Sequence, residues 1–353
     1  MSQVIVQDDQ LAEFLLELGR VTRLALDTEA DSLHAYPEKL CLIQISLPGR
    51  DALIDPLASL DLAPLWKALK PLELVLHGAD YDLRLLFRGA GFVPSTVFDT
   101  MLAARFLGLR AFGLNDLAGH YLGVTLPKGA QKANWARRPL TERLLDYAQN
   151  DTRYLPPIRE RLEAELSQKG CLEWHRETCA RLIAECAQAR VRDPDLVWRL
   201  GGSDRLTRPA LAVLRSLWHW REQEALRADR PPFFILSHET LVAAAAAAVQ
   251  RQPVAPLLPP HFSSRRTESF RAALDRGLAV PLESQPKHLR QVNRHFTHAQ
   301  QRHFAELERR RDRQARALGL EPSFIASRAL LAAVACDATG NGLMRWQRAL
   351  LLD

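Results

Sequence analysis

Leu24-Ala25-Leu26-Asp27-Thr28-Glu29 decides how this chain is read. The short apolar run predicts a buried strand that delivers Asp27 and Glu29 to its C-terminal end. Strand residues two apart point to the same side, so both carboxylates face one site. Open α/β sheets place their ligands at such strand ends. Further along, Tyr147 and Asp151 lie four apart in a predicted helix with Thr141 as its N-cap, which stacks the phenol over the carboxylate. Between these stretches, His77-Gly78-Ala79-Asp80-Tyr81-Asp82 adds a further acidic segment. Carboxylates gathered around one point repel each other unless cations sit between them. Hard oxygen ligands with no matching Cys or His spacing suit Mg²⁺ or Mn²⁺. Two such ions clamp the attacking and leaving oxygens of a phosphodiester, so these residues read as those of a metal-dependent nuclease.

The surrounding pattern is that of an α/β domain followed by an all-α region. Strands are predicted at Val4–Val6, Leu24–Thr28, Cys41–Ser46, Asp51–Ile54 and Leu74–Leu76, with helices over Asp9–Leu18 and near Leu62–Leu69. That order predicts a mixed sheet flanked by helices. Pro156-Pro157 is expected to break the last helix of this domain downstream of Tyr147 and Asp151. Pro194, Gly201, Gly202 and Ser203 mark a linker over 193–205. An amphipathic helix from Leu211 to Ala225 follows, and Pro231–Leu241 breaks it and starts another. Residues from about 290 to 353 look like a second, more degenerate copy, with Arg302–Ala317, Leu320–Ser323 and Ala326–Arg328 as its parts.

Together these motifs resemble the ribonuclease D family, in the tyrosine-bearing branch of the DEDD 3′-5′ exonuclease superfamily. The resemblance rests on Asp27-Thr28-Glu29 followed by Leu40–Ile45, on His77–Leu83, and on Tyr147–Asp151, with Val97–Thr100 and Asn134–Leu140 between the last two. The chain departs from the family in having Ala133-Asn134 where Ser-Asp usually precedes the tryptophan. Its C-terminal part resembles HRDC domains, with His238 at a position where the family commonly has Asp. The resemblance implies a ribonuclease-H-like exonuclease domain at 1–192, the linker at 193–205, an HRDC-like domain at 206–286 and a degenerate HRDC-like domain at 287–353.

It also implies an activity: hydrolysis of RNA from a free 3′ end to 5′-mononucleotides by two divalent ions, Mg²⁺ or Mn²⁺, with transfer-RNA precursors as substrate. Asp27, Glu29 and Asp151 would hold one ion and Asp27 would bridge to the second. Asp82 would complete the metal set by holding the second ion's surroundings in place through water, and Tyr147 would orient the attacking water or help to take its proton. The family spacing from His77 selects Asp82 over Asp80. Helical periodicity agrees, because Asp82 borders the stripe Ala79, Leu83, Leu86 and Ala90 while Asp80 faces Arg84. Asp99 reads as an N-cap. Lys128, Lys132, Trp135 and Arg138 are candidates for phosphate or base contacts, and Arg309-Arg310-Arg311 for the RNA backbone. Two other readings compete: a DNA exonuclease using the same carboxylates, and a non-catalytic nucleic-acid adaptor. A pure scaffold has no use for clustered, mutually repelling acids.

Composition bounds the rest. A chain of 353 residues exceeds one hydrophobic core. The net charge of +6 divides into −3 over residues 1–200 and +9 over 201–353. An acidic half needs metal ions before it approaches a polyanion, whereas the basic half recruits one by counterion release. The longest apolar run, Leu241–Val249, is too short to span a bilayer, and no signal peptide is visible at the N-terminus. Five cysteines, an odd number, point to free thiols in the cytoplasm, and a monomer is expected. Cys171, His175 and Cys179 are spaced four apart, but three ligands on one helix face close poorly around tetrahedral Zn²⁺. They read as buried side chains.

Overall fold

The structure, a computed structural model, describes residues 4–127, 129–188, 193–289, 296–337 and 340–353. The first part builds a six-stranded sheet from β1 (Val4–Ile5), β2 (Arg23–Ala30), β3 (Leu40–Leu47), β4 (Arg50–Ile54), β5 (Glu73–Leu76) and β6 (Thr96–Asp99). Between and after them run α1 (Asp8–Leu18), α2 (Ala63–Leu69), α3 (Asp80–Ala90), α4 (Thr100–Leu107), α5 (Leu114–Leu122), α6 (Glu142–Arg153), α7 (Leu155–Lys169) and α8 (Leu172–Cys186). Helices α9 (Arg208–Ala228), α10 (Pro232–Ile235), α11 (His238–Val249) and α12 (Ser264–Leu278) follow. The chain closes with α13 (His298–Leu318), α14 (Pro322–Ile325), α15 (Arg328–Cys336) and α16 (Arg345–Leu351). No helix among the described residues is long and apolar enough to cross a membrane.

The sheet is mixed, in the order β1-β4-β3-β2-β5-β6. Strands β2, β3 and β4 form an antiparallel meander, while β1, β5 and β6 each run parallel to a neighbour. Both faces of the sheet are covered. Leu24 and Leu26 pack on one side with Phe14, Leu65 and Leu83, and Ala25 on the other with Phe106, Leu155, Ile158 and Leu162. That two-sided burial explains why β3 is buried continuously from Cys41 to Leu47 instead of on alternate residues, with Gln44 and Ser46 as its polar members. Strand β6 is one the pattern does not announce: four residues long, it pairs with β5 from Thr96 to Asp99. Pro156-Pro157 acts as expected, ending α6 at Arg153 and restarting the chain as α7 with proline in its first turn.

The chain divides into two compact units, one of residues 1–30, 40–189 and 294–353, the other of 31–39 and 190–293. Each holds one copy of a helical repeat. The repeat opens with a 21-residue helix, α9 or α13. A four-residue helix begun by Pro232 or Pro322 comes next, and then a helix N-capped by Ser237 or Ser327. An arginine at the same point of each long helix ties the repeat together. Arg221 donates to the carbonyl of Leu236 at 3.4 Å, and Arg311 to that of Ala326 at 3.3 Å. The stretch read as a linker, 193–205, carries Trp198 at 0 % exposure in the core of the second unit with Leu211 and Leu214. That burial makes it a packed part of the second unit.

In the first unit, α13–α16 share a core with the sheet domain. The Phe106 ring lies 4.7 Å from Phe324 and 5.3 Å from Trp346, and Trp346 stacks on Trp174 at 5.5 Å. In the second unit α12 packs so close to α9 that a Cβ on Gly277 would lie 2.6 Å from the Cα of Val213. Gly277→Ala is therefore expected to destabilise the protein by about 1–3 kcal/mol through overpacking. Gly89→Ala on α3, where nothing lies within 4 Å, should be neutral or gain up to about 1 kcal/mol. Denaturant unfolding of both variants checks the pair, and equal effects would contradict this packing.

Candidate active site

The site forms where the sheet stops being paired on one side. β5 pairs with β2 only from Arg23 to Ala25, so Asp27, Thr28 and Glu29 run on beyond it with β3 as their strand partner. The register shifts between Glu29 and Ala30, a local irregularity of the kind found next to active sites. After β5 the chain turns at Gly78, whose φ of +75° suits glycine, and enters α3. Asp99 fixes this turn. Its carboxylate accepts from the backbone N–H of Gly78 at 3.1 Å and Ala79 at 2.8 Å, and it also caps α4 through Met101 and Leu102. Asp82 on the first turn of α3 accepts from the Thr28 N–H at 3.1 Å and the Thr28 hydroxyl at 2.5 Å, which locks α3 onto β2. Asp80 points elsewhere and pairs with Arg84 four residues on.

α6 completes the site from above the meander. Thr141 caps it, and a hydroxyl pair, Ser46 and Thr152 at 2.7 Å, ties its far end to β3. Asp27, Glu29 and Asp151 each bring a carboxylate oxygen within 4.8 Å of the others. With Asp82 and Tyr147 they line one cavity of about 720 Å³. No Lys or Arg appears among the described lining residues. Burial first, then mutual repulsion, pushes Glu29 up to about 9 and raises Asp27 well above the usual carboxylate range. Burial also lifts Asp151 to about 7 and Asp82 to about 6, the latter against the bonds from Thr28. The Tyr147 phenol is hydrogen-bonded to Asp151 and, through burial and the neighbouring carboxylates, is held well above its ordinary value. Across the ladder from Asp27, the buried Gln44 amide has no protein partner among the described residues. A set of oxygen donors that repel one another, with no basic side chain to balance them, fits divalent metal ions.

The nucleic-acid candidates fall differently. Trp135 is 0 % exposed and packs among Cys41, Leu42 and Leu53 with its ring 6.1 Å from Tyr147, so it supports the phenol and has no free face for a base. Arg138 is used up internally, donating to both Asp55 oxygens and to the carbonyls of Trp135, Arg137 and Cys41. Asn134 accepts from the Ala136 N–H and shapes the turn that presents Trp135. Lys132 is exposed beside Gln131, which lines the cavity; Lys128 lies outside the described residues, between lining residues Pro127 and Gly129. Of the arginine run, Arg310 ties Glu306 to the carbonyls of Leu351 and Leu352, and Arg311 is the arginine that ties the repeat. Their role is structural, and only Arg309 is largely exposed, paired with Glu306.

Three residues were not singled out for the site. His77 lines the cavity with its Nδ1 2.9 Å from the Thr100 hydroxyl. Because Thr100 donates to the Leu76 carbonyl, it accepts from Nδ1–H and leaves Nε2 as an acceptor. Tyr81 lines the mouth, and Asp99 holds the turn. No local signal marks Asp99 for this turn, because β6 is itself unannounced and Ala79 lies 20 residues back. His175 meets the Asp99 carbonyl at 3.0 Å and Cys179 at 3.5 Å. Among the described residues, the cluster of potential metal ligands is Asp27, Glu29 and Asp151 alone.

The raised carboxylates have a consequence for stability. Unfolded Glu and Asp titrate near 4, so in the metal-free protein the folded state holds protons that the unfolded chain has lost. Stability from these groups is complete below about pH 4 and drains away as pH rises through the folded values, about 7 for Asp151 and about 9 for Glu29. Thermal midpoints in chelator should therefore fall between pH 7 and 9, and fall less in Glu29→Gln. Equal slopes for the two proteins would contradict the repulsion inferred here.

Comparison with known proteins places the chain among relatives. A family model described as 3′-5′ exonuclease matches residues 2–167, and one described as HRDC domain matches 210–252. Ribonuclease D of Jannaschia sp. is 31% identical over 301 residues, covering 81% of this chain and 77% of that one. Ribonuclease D of Pseudomonas paraeruginosa is 35% identical over 243 residues, covering 68% of this chain. The match spans only 64% of that relative's own length. Among solved structures, Escherichia coli RNase D, described as an exoribonuclease involved in structured RNA processing, superposes with a TM-score of 0.76 at 26% identity, covering 99% of this chain and 96% of that one. Sharing both the fold and this depth of sequence with such proteins, the chain belongs to the ribonuclease D family.

Proposed function

We propose that this protein is a 3′-5′ exoribonuclease that removes nucleotides from RNA 3′ ends as 5′-mononucleotides. The observation that carries the reading is the meeting of Asp27, Glu29 and Asp151 within 4.8 Å in a cavity with no described basic lining residue. Family membership supports RNA as the polymer. Asp27, Glu29 and Asp151, with Asp82 completing the set, are the residues that would hold two divalent ions, Mg²⁺ or Mn²⁺. When bound, such ions acidify water and neutralise charge gathering on a phosphodiester. Tyr147, kept protonated by its surroundings, donates a hydrogen bond and orients the attacking water; a phenol held above its ordinary value is a poor base. Asp82 positions β2 through Thr28. In the reaction the water oxygen bonds to phosphorus and the bond to the penultimate 3′ oxygen breaks. That oxygen leaves with a proton, and the phosphate stays on the departing nucleotide.

The wider reading has an exonuclease domain at 1–192, HRDC-like domains at 206–286 and 287–353, and transfer-RNA precursors as substrate. It has the protein acting as a cytoplasmic monomer, and the five cysteines, four of them buried and an odd number, fit a reducing compartment. Lys128, Lys132 and Arg309 remain the candidates for contacts to RNA.

Asp27→Ala, Glu29→Ala and Asp151→Ala are each expected to abolish nucleotide release from a labelled RNA with Mg²⁺ or Mn²⁺ while the protein stays folded. Unfolding of all three would remove the metal-site role. Tyr147→Phe should slow the chemistry by on the order of 10²-fold with metal binding nearly unchanged. Asp82→Asn should be damaging and Asp80→Asn mild; the reverse order would reassign the second motif. A matched DNA strand degraded as fast as the RNA would favour the DNA exonuclease.

A further inference from the structure

The loop joining α4 to α5 separates two cavities. Gly113, Leu114 and Asn115 at its end line the catalytic cavity, while Gly108 to Arg110 and Phe112 line a second one of about 570 Å³ in the same unit. Phe112 and Gly113 are consecutive, so the two spaces adjoin along the chain. The far wall of the second cavity is the end of α13 and the turn into α14, including Arg316 and Phe324. The walls meet closely: a Cβ on Gly108 would lie 2.3 Å from the Gly319 carbonyl oxygen, and both glycines are left-handed helix caps.

The charge in this cavity is unbalanced. Arg105, Arg110 and Arg316 line it against Glu321 alone, and none of the three arginines is ion-paired with a carboxylate among the described residues. Arg105 and Arg316 sit in the last turns of α4 and α13, where the helix dipole favours a cation. The dipole does not account for how Arg105 is held. Its guanidinium lies 4.2 Å from the Phe324 ring centroid and 5.9 Å from that of Phe112. Aromatic faces fix a guanidinium in place without consuming its N–H donors, which leaves an oriented fork for a phosphate.

The geometry points to a second RNA subsite here, in which Arg105, Arg110 and Arg316 hold a backbone phosphate of the substrate strand upstream of the 3′ end in the catalytic cavity. The inference rests on the exoribonuclease reading and adds to it a site that the carboxylates do not provide. It makes the enzyme prefer strands long enough to reach both cavities.

The test compares the full-length protein with Arg110→Gln/Arg316→Gln, two exposed positions whose removal leaves the ring packing around Arg105 intact. Hydrolysis of an RNA dinucleotide and of an octanucleotide is followed with Mn²⁺ over a range of salt. The expected result is a KM for the octanucleotide raised about tenfold with kcat held, and kinetics on the dinucleotide unchanged. The salt dependence of log KM should flatten by up to roughly 0.7, the value for one lost single-strand phosphate contact. An unchanged octanucleotide KM, or an equal rise for both lengths, overturns the subsite. Inorganic phosphate that inhibits the parent but not the variant, at both lengths alike, marks a free-anion site and also overturns it. A parent that hydrolyses neither RNA refutes the exoribonuclease reading instead. Anisotropy of a labelled octanucleotide with the same two proteins then still reads the subsite, which falls if their affinities and salt slopes are equal.

Discussion

The repulsion among Asp27, Glu29, Asp151 and Asp82 is the constraint around which the rest of this protein is arranged. Buried acids without a basic partner are costly to ionise, and their raised proton affinities register that cost. The fold holds them together by anchoring each on a different rigid element. Asp27 and Glu29 ride a central strand past the end of its neighbour. Asp82 is bolted to that strand through Thr28, and Asp151 lies on a helix pinned to β3 by Ser46 and Thr152. Asp99 belongs to this scheme although it carries no chemistry, since its carboxylate ties the turn before α3 to the start of α4.

Support for the site extends to the end of the chain. Helices α13–α16 complete the apolar core that begins with Ala25, Val75 and Phe98 of the sheet, through Phe106, Phe324 and Trp346. The last repeat is therefore part of the body that carries the carboxylates, and its arginines are spent largely on its own architecture. The positive balance of the C-terminal half, +9 over residues 201–353, overstates what remains for a polyanion. Arg221, Arg265 and Arg266 are likewise engaged, the last two with the buried Glu224.

The strands and the site elements were legible because each carries its own local signal. The run Leu24–Leu26 ends in acids spaced by two, Thr141 caps α6, and the double proline restarts the chain as α7. Choosing between Asp80 and Asp82 was also possible, since helical spacing pairs Asp80 with Arg84. What was not legible depends on contacts distant in sequence. Arg138 looks like any surface arginine until Asp55, 83 residues away, closes on it. Trp135 becomes a core residue only once β3 and α6 enclose it, and β6 exists because β5 supplies its hydrogen bonds. The repeat was visible, but the structural use of Arg311 emerges only when its carbonyl partner is aligned with that of Arg221.

Proton release on metal binding reports directly on the repulsion among these carboxylates. Mn²⁺ is titrated calorimetrically into the protein at pH 7 in two buffers of different ionisation enthalpy. With Glu29 held near 9 and Asp151 near 7 in the metal-free state, binding should expel at least about one proton per protein, because metal-bound carboxylates must be ionised. Identical heats in the two buffers, with Mn²⁺ bound, would mean that the carboxylates were already ionised and that their repulsion does not govern the site.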